Sequence, residues 1–202
     1  MFIERIPQVV RWFFRPVLWR GDKNRKVLYL TFDDGPTEEN TLWILDRLDE
    51  RGVKATFFCV GRNVERHPGL YAEIQARGHR VGLHGYDHKR GLYKDDALFN
   101  ADLARCAELV KSDLFRPPHG HLKPSQVRRY ARRYTIVLWD VITRDYNRGL
   151  KPEKVLGIAK RYGRKGSIIV FHDSVKAREN MRYAFPRAVD YWLEQGYTFE
   201  TL

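Results

Sequence analysis

The chain has 202 residues, enough for one domain with a complete hydrophobic core and too few for two domains of ordinary size. Apolar residues make up 43% and charged residues 31% of the chain, a balance that excludes an intrinsically disordered protein. Lys and Arg outnumber Asp and Glu by 37 to 25, so a net charge of +12 favours anionic surfaces without distinguishing nucleic acid, acidic glycans and lipid headgroups.

The first 26 residues are rich in large apolar and basic side chains, and we expect them to be distinct from a catalytic domain over 27–202. Arg11 and Arg15 interrupt the apolar residues, so the segment lacks the apolar core of a signal peptide. No stretch reaches the roughly 18 apolar residues of a membrane-spanning helix. Two interpretations remain: the segment packs against the underside of the domain, or residues 1–20 lie on an anionic membrane surface. The sequence leaves the compartment open, although the lack of a signal peptide or spanning helix favours a cytoplasmic or membrane-peripheral location.

Apolar runs typical of strands alternate with stretches of helical periodicity along the rest of the chain. Strands are predicted at 27–32, 55–60, 79–83, 135–139, 167–171 and 197–200, with a short apolar pair at Leu114-Phe115. Helices are predicted at 41–51, 70–76, 95–112 and 182–194, with two more that open at Ser125 as N-cap and near Pro152. This alternation predicts an α/β fold with a mainly parallel sheet. About seven such units favour a compact or incomplete (β/α) barrel, with an open doubly wound sheet as the alternative.

Polar residues follow several predicted strands at the point where each strand ends. Asp33 and Asp34 come after the first strand, His84 after the third and His172 after a late one. In both candidate architectures the carboxyl ends of the strands form the active-site face. We therefore expect these residues, far apart in sequence, to converge.

The residue types at this face are those of a metal site. Two adjacent carboxylates after a buried strand repel each other unless a cation lies beside them, although Asp-Asp-Gly-Pro is also a good turn sequence. His84 and His88 are four residues apart, and with one carboxylate they complete a His-His-Asp set. Three such ligands with an open position are typical of catalytic zinc.

Two further features accompany the proposed metal site. His172 is either a histidine at the edge of the core or a general acid, and its place at the same rim favours the general acid. Arg116-Pro117-Pro118-His119-Gly120 is a rigid, non-helical segment that would hold Arg116 and nearby amides in fixed directions, suited to a carboxylate or an oxyanion.

Five motifs in this order resemble those of the polysaccharide deacetylase family (NodB homology, carbohydrate esterase family 4). The resemblance spans roughly 27–202. The motifs are Thr31-Phe32-Asp33-Asp34-Gly35-Pro36, His84-x-x-x-His88, Arg116-Pro117-Pro118-His119-Gly120, Trp139-Asp140 with Asp145-Tyr146, and Val170-Phe171-His172.

The resemblance implies a distorted (β/α) barrel that removes acetyl groups from an N-acetylated sugar polymer, such as a chitooligosaccharide or peptidoglycan. Asp34, His84 and His88 would bind a divalent metal, usually Zn²⁺, with Co²⁺, Ni²⁺ and Mn²⁺ as other candidates. Asp33 would be the general base and His172 the general acid. Family members often act on glycans of the cell envelope.

The resemblance also implies the supporting residues. Arg116 would brace Asp33, and the backbone N–H of His119 would meet the acetamide oxygen. Asp145 would orient the catalytic histidine. The substrate contacts would come from His119, Pro118, Tyr146 and Trp139.

Three motifs depart from the family pattern. Gly85 stands where the family has Ser or Thr, and His119 stands where it has Tyr. The fourth motif has Ile142 in place of its first Asp, and Tyr146 replaces Trp. Support for His172 therefore rests on either Asp140 or Asp145.

Three other functions are compatible with parts of the sequence. The same metal site could hydrolyse another amide, an imide or an O-acetyl ester. A glycan- or lipid-binding module could retain the metal site with weak catalysis, although it would need neither Asp33 nor His172. A nucleic-acid module is suggested by charge alone and has no supporting motif, so we expect no nucleic-acid partner. We expect a monomer.

Overall fold

The computed structural model describes residue 14, residues 16–91 and residues 95–202. In these ranges the strands are β1 (Val17–Leu18), β2 (Val27–Asp33), β3 (Thr56–Cys59), β4 (Arg80–Leu83), β5 (Leu114–Phe115), β6 (Thr135–Val137), β7 (Val141–Ile142), β8 (Ile168–His172) and β9 (Thr198–Phe199). The helices are α1 (Thr41–Asp49), α2 (Gly61–Arg66), α3 (Pro68–Ala76), α4 (Asp96–Leu109), α5 (Pro124–Tyr130), α6 (Pro152–Tyr162) and α7 (Arg178–Glu194), with a 3₁₀ turn at Pro118–Gly120.

The strands form one sheet in the order β1-β6-β5-β4-β3-β2-β8-β7, and β9 pairs with the start of β2. Every pair of named strands in the described ranges is parallel. Six strand spacings of about 4.8 Å would separate β6 from β7 by roughly 29 Å in a flat sheet. The four residue-to-residue steps from Val137 to Val141 span at most about 14 Å. The sheet must therefore curl, which confirms the distorted, incomplete barrel over the doubly wound alternative.

The central strand β2 shows how the barrel positions the site. All seven of its residues are buried, as expected for a parallel strand covered on both faces. Because side chains alternate along a strand, Leu28, Leu30 and Phe32 pack with the helices. Tyr29 belongs to the smaller apolar cluster, with Phe58 and Val137. Asp33 has the same parity as Tyr29 and so points to that second face at the strand's carboxyl end.

One predicted helix start was wrong and one helix was not predicted, each for a local reason. Helix α5 has Lys123 as its N-cap and Pro124 in the first turn, so Ser125 is not the cap. The Gln126 side-chain oxygen accepts a hydrogen bond from the Lys123 N–H at 2.9 Å. Helix α2 was not predicted, because it has only six residues and starts at a glycine.

The N-terminal segment is described only in part. Val17 and Leu18 pair with β6, and Trp19 is buried in the core. Residues 1–13 and 15, which carry most of the predicted membrane-binding segment, lie outside the described residues. Among the residues that are described, no helix combines the length and apolar character needed to cross a membrane.

Candidate active site

Asp33 and Asp34 diverge in direction at the end of β2. Asp33 is the last strand residue and is 3% exposed. Asp34 has a φ of 77°, in the left-handed region that Asp tolerates better than most residues. The chain therefore turns between the two carboxylates, and Asp34 is partly exposed. The left-handed backbone conformation of Asp34 thus places the two adjacent carboxylates in different surroundings.

The structure brings Asp34, His84 and His88 together in a cluster that could hold a metal ion, called the metal-ligand cluster below. One ligand atom from each lies within 4.8 Å of the other two. Asp34 Oδ1 is 3.2 Å from His88 Nε2 and 3.6 Å from His84 Nε2. Two ligand atoms bound tetrahedrally to Zn²⁺ at 2.0–2.1 Å lie about 3.4 Å apart. The three donors fit such an ion.

Two observations strengthen this fit. Asp34 Oδ1 is enclosed and makes no hydrogen bond of acceptable geometry, although the His88 ring lies close. His84 Nδ1 is 2.8 Å from the Arg116 carbonyl oxygen, so Nδ1 carries the proton that it donates to this oxygen. The lone pair of Nε2 is therefore available to bind a metal. Burial alone would raise the pKa of Asp34, but the His84 and His88 imidazoles hold it well below its usual range. Asp34 is thus ionised, as a ligand must be.

The His84–His88 loop is anchored by Asp102, a residue that sequence reasoning missed. Asp102 lies on α4, and its two carboxylate oxygens accept hydrogen bonds from the backbone N–H of Tyr86 at 2.8 Å and of Asp87 at 3.0 Å. A Cβ on Gly85 would lie 2.9 Å from Asp102 Oδ2, and the Gly85 φ is +74°. Both facts account for glycine at this position. The available signal was an acid on the apolar face of α4.

Arg116 fixes the orientation of Asp33. The guanidinium is fully buried, and its Nη1 donates to Asp33 Oδ1 at 2.6 Å and to Thr31 Oγ1 at 2.8 Å. It also packs over the Phe58 ring at 4.0 Å. Asp33 Oδ2 lies 3.9 Å from His84 Nε2. One oxygen of Asp33 is thus held by Arg116, and the other faces the metal-ligand cluster.

His172 pairs in register with Asp33 on the neighbouring strand β8. Asp145 Oδ1 is 2.7 Å from His172 Nδ1, and Oδ2 accepts the His172 backbone N–H at 2.7 Å. Burial would lower the pKa of His172, but Asp145, helped by Asp34 and Asp33, raises it to about 9. Asn180 donates to the Asp145 carbonyl at 3.1 Å.

Of the two acids that sequence reasoning left open, Asp145 contacts His172 and Asp140 has other partners. Asp140 accepts hydrogen bonds from Arg164 Nε at 2.9 Å and from Ser167 Oγ at 2.7 Å. The Tyr146 ring packs edge-on against His172, with ring centroids 4.9 Å apart. Tyr146 therefore forms one wall of the site.

The segment after Arg116 brings His119 to the metal-ligand cluster. His119 has a φ of 59°, and its ring centroid is 4.5 Å from that of His88. Pro118 is buried at the start of the 3₁₀ turn. Trp139 packs against Gly120 and lines an apolar cavity of about 220 Å³ beyond this segment. The structure thus brings His119 to the ligand cluster, whereas Trp139 lines a separate cavity.

Asp173 is a second buried acid that the sequence did not reveal as part of the site. It accepts hydrogen bonds from Thr37 Oγ1 and Thr41 Oγ1, and its N–H donates to the Asp33 carbonyl at 2.7 Å. Burial raises the pKa of Asp173 to about 7. It ties the loop that follows Asp34 to the end of β8.

A cavity of about 510 Å³ opens in front of the cluster and is lined by Asp34, His88, Tyr86, Asn63 and Val175 among others. Two members of the cluster, Asp34 and His88, thus border a space large enough for a sugar ring.

Comparison with known proteins gives one consistent result. A family model described as "Polysaccharide deacetylase" matches residues 20–139, which include the first three motifs and end before Asp145 and His172. A peptidoglycan-N-acetylglucosamine deacetylase of Bacillus cereus is 30% identical over 195 residues, covering 92% of this chain and 91% of that protein. A chitooligosaccharide deacetylase of Rhizobium leguminosarum bv. trifolii is 30% identical over 168 residues, covering 76% of this chain and 74% of that protein.

The crystal structure of the Bc1960 peptidoglycan N-acetylglucosamine deacetylase, in complex with 4-naphthalen-1-yl-N-oxidanyl-benzamide, superposes with a TM-score of 0.89 at 27% identity. The match covers 98% of this chain and 95% of that one. Other relatives are longer: this chain spans 39% of a Listeria monocytogenes peptidoglycan-N-acetylglucosamine deacetylase that is 33% identical over 190 residues.

Proposed function

Since the chain belongs to the polysaccharide deacetylase family, we propose that it hydrolyses the acetamide group of an N-acetylated glycan at the mouth of its barrel. It is a hydrolase of non-peptide carbon–nitrogen bonds. The observation that carries the proposal is the arrangement around Asp34, His84 and His88. A braced carboxylate lies on one side of this cluster, and a carboxylate-paired imidazole lies nearby.

Asp34, His84 and His88 would hold one divalent metal, for which we propose Zn²⁺, because one carboxylate and two imidazoles are a donor set that zinc favours. When bound, the metal polarises the acetamide carbonyl and lowers the pKa of water. Asp102 holds the loop that carries His88, and the Arg116 carbonyl sets the tautomer of His84. The protein thus orients two of the three ligands through neighbouring groups.

Asp33 acts as the general base. The Arg116 hydrogen bond to Oδ1 leaves Oδ2 to accept a proton from the attacking water. Both side chains are buried, so the carboxylate is held in one orientation and needs no rearrangement as the proton moves.

His172 acts as the general acid. Its Nδ1 is committed to Asp145, so Nε2 is the atom that donates a proton to the departing amine. The Asp145 carboxylate keeps the imidazole protonated at neutral pH, consistent with a pKa of about 9. An amine leaves only as a protonated species, and this makes the acid necessary.

Residues around His172 and the metal-ligand cluster would position the sugar. Tyr146, packed against His172, and Pro118 at the turn would contact the ring, and the backbone N–H of His119 would donate to the acetamide oxygen. Trp139 would act through Gly120, against which it packs. Relatives named for peptidoglycan and chitooligosaccharides support a glycan that contains N-acetylglucosamine, and with it a role at the cell envelope. Association of residues 1–20 with an anionic membrane and a monomeric state stay predictions.

Acetate release tests the proposal directly. The protein is stripped with a chelator, reloaded with Zn²⁺, Co²⁺, Ni²⁺ or Mn²⁺, and assayed on chitooligosaccharides, peptidoglycan fragments and an aryl acetate. We expect metal-dependent release from an N-acetylated glycan. Release from the aryl acetate alone would reassign the site to ester hydrolysis. Glycan binding with no acetate from any substrate would identify a binding protein instead.

A further inference from the structure

A second cavity beside the active site is lined by a set of cationic side chains. Its volume is about 770 Å³. The charged residues in its wall are five cations and a single acid: Arg148, Lys151, Lys176, Arg178, Arg182 and Glu179. Surface lysines and arginines are ordinary in a protein with a net charge of +12. It is unusual, however, that five of them line one concave space that contains a single carboxylate.

This basic cavity is adjacent to the catalytic groups. Val175 lines both the basic cavity and the cavity that contains Asp34 and His88. The Lys176 ammonium lies 5.9 Å from the centre of the Tyr146 ring, which packs against His172. Asn180, another wall residue, donates to the Asp145 carbonyl. A group bound in the basic cavity would therefore extend from a substrate held at the site.

Four of the five cations of this cavity lack the acidic partners that basic residues have elsewhere in the fold, and the fifth, Arg182, donates to the backbone carbonyl of Glu39. Arg51 pairs with Asp190, and Arg164 pairs with Asp140. In the part of the chain that the structure describes, no ion pair involves Arg148, Lys151, Lys176 or Arg178. Like charges that converge without an acid repel one another, and an anion from solution relieves that repulsion.

Two secondary observations agree with an anionic ligand. Among the described residues no acceptor is bonded to Arg182 Nε, which is enclosed. Helices α6 and α7 both begin at the wall of the cavity, at Pro152 and Arg178, and no side chain caps either one. The first-turn amides and the helix dipoles add positive potential there.

We propose that this cavity binds a phosphate or diphosphate group attached to the N-acetylated sugar. The proposal rests on the proposed deacetylase function and names the substrate class more closely. A phosphoryl group carries up to two negative charges and three acceptor oxygens, and arginine forks bind it in a bidentate manner. A single sugar carboxylate would neutralise only one of the five cations.

The test compares an N-acetylated disaccharide with its 1-phosphate and 1-diphosphate forms, using the zinc-loaded full chain. We expect kcat/KM for the phosphorylated forms to exceed that for the neutral sugar at least about tenfold, mainly through KM. In the triple variant Arg148→Gln, Lys151→Gln, Arg178→Gln, this preference is lost while kcat/KM for the neutral sugar is unchanged. None of the three residues contacts the catalytic groups.

A matched variant removes the same charge elsewhere. Arg128→Gln, Arg129→Gln, Arg132→Gln changes three exposed residues in and after α5, and it keeps the preference if the cavity is responsible. Equal loss in both variants would reassign the effect to overall charge and overturn the proposal. So would a parent protein that treats neutral and phosphorylated sugars alike, even if inorganic phosphate binds.

Calorimetry with inorganic diphosphate separates this proposal from the catalytic one. We expect the parent protein to bind the ion and the cavity variant to lose that binding. A parent that does not bind the ion overturns the cavity proposal whether or not acetate is released. A parent that binds it in the cavity but deacetylates no sugar retains the anion site and refutes the proposed function.

Discussion

Asp145 holds both the ring and the backbone of His172, with one carboxylate oxygen on Nδ1 and the other on the amide N–H, each at 2.7 Å. Because Asp145 contacts both groups, it fixes the orientation of the His172 ring relative to strand β8. The family position that Ile142 occupies in this chain is therefore not needed to orient His172.

We predict that Asp145→Asn lowers kcat on acetamides and moves the alkaline limb of the pH–rate profile to lower pH. A general acid is active only while protonated, and Asp145 raises the pKa of His172 to about 9, so removing its charge brings deprotonation toward neutral pH. Asp140→Asn is the control, because Asp140 bonds Arg164 and Ser167. It should leave the limb in place. An unmoved limb in Asp145→Asn would exclude His172 as the acid.

Asp33→Asn should abolish acetate release while metal content stays near that of the parent, because Asp33 bonds Arg116 and is not one of the three proposed ligands. Asp34→Asn is the matched change one residue away, and we expect it to lose the metal. Metal analysis after gel filtration, alongside acetate release, checks both. Loss of metal in Asp33→Asn would contradict the proposal that Asp34 binds the metal and Asp33 acts only as the base.

His172→Gln should reduce turnover of acetamides far more than turnover of an aryl acetate. A phenolate leaves without a proton, whereas an amine does not, so only the amide needs the acid. General acid catalysis contributes about 10²–10⁴-fold, and we expect a loss in that range on the amide. Parallel rate measurements with the two substrates decide the point: equal losses would indicate a structural role.

Asp102→Ala should weaken Zn²⁺ binding by about 10–100-fold, because the Tyr86 and Asp87 amides lose the acceptor that shapes the His84–His88 loop. Asp102→Asn keeps one acceptor oxygen, so its Zn²⁺ affinity should lie between those of the parent and of Asp102→Ala. Glu108→Gln, an exposed change on the same helix α4, should have no effect. Competition with a zinc-binding dye measures affinity, and urea unfolding of metal-free protein shows whether the fold is intact. Unchanged affinity in Asp102→Ala would remove Asp102 from the metal site.

His79 should make the fold acid-labile. Its Nδ1 accepts the Ala55 N–H at 3.2 Å, and burial lowers its pKa from 6.5 to about 4. In the unfolded chain His79 becomes protonated below about pH 6.5, whereas in the folded chain it stays neutral down to about pH 4. Stability is therefore full above pH 6.5 and falls as the pH drops toward 4, by about 3 kcal/mol at most. Urea unfolding of the chelated protein and of His79→Gln measures this, and identical pH slopes would refute it.

The candidate site residues could be predicted from the sequence. Each follows a buried strand, and the carboxyl ends of parallel strands lie on one face of the barrel. Asp34, His84 and His88 do meet at one point, and Asp33 contacts Arg116 as expected. Their roles are proposals that the experiments above test. The parallel sheet was predictable from the alternation of strands and helices, and the number of these units favoured a barrel over an open doubly wound sheet.

The groups that support the site were not predictable from local sequence. Asp102 lies in helix α4 and Asp173 follows His172. Only the packing of the His84–His88 loop against Asp102, and of the 37–41 turn against Asp173, gives these two acids their contacts. The basic cavity combines residues of two loops and two helix starts, so no contiguous motif encodes it. Strand β7 has two residues and no pattern of its own.

The register that sets Asp33 opposite His172 also fixes when the site is completed during synthesis. All three proposed metal ligands and Arg116 lie in the first 116 residues, on the loops after strands β2, β4 and β5. Strand β2 then still lacks its neighbour β8, and so one flank of the central strand is open until the last third of the chain leaves the ribosome. A nascent chain can therefore assemble the proposed metal ligands early, but it gains His172, the proposed general acid, only when β8 pairs with β2 beside Asp33.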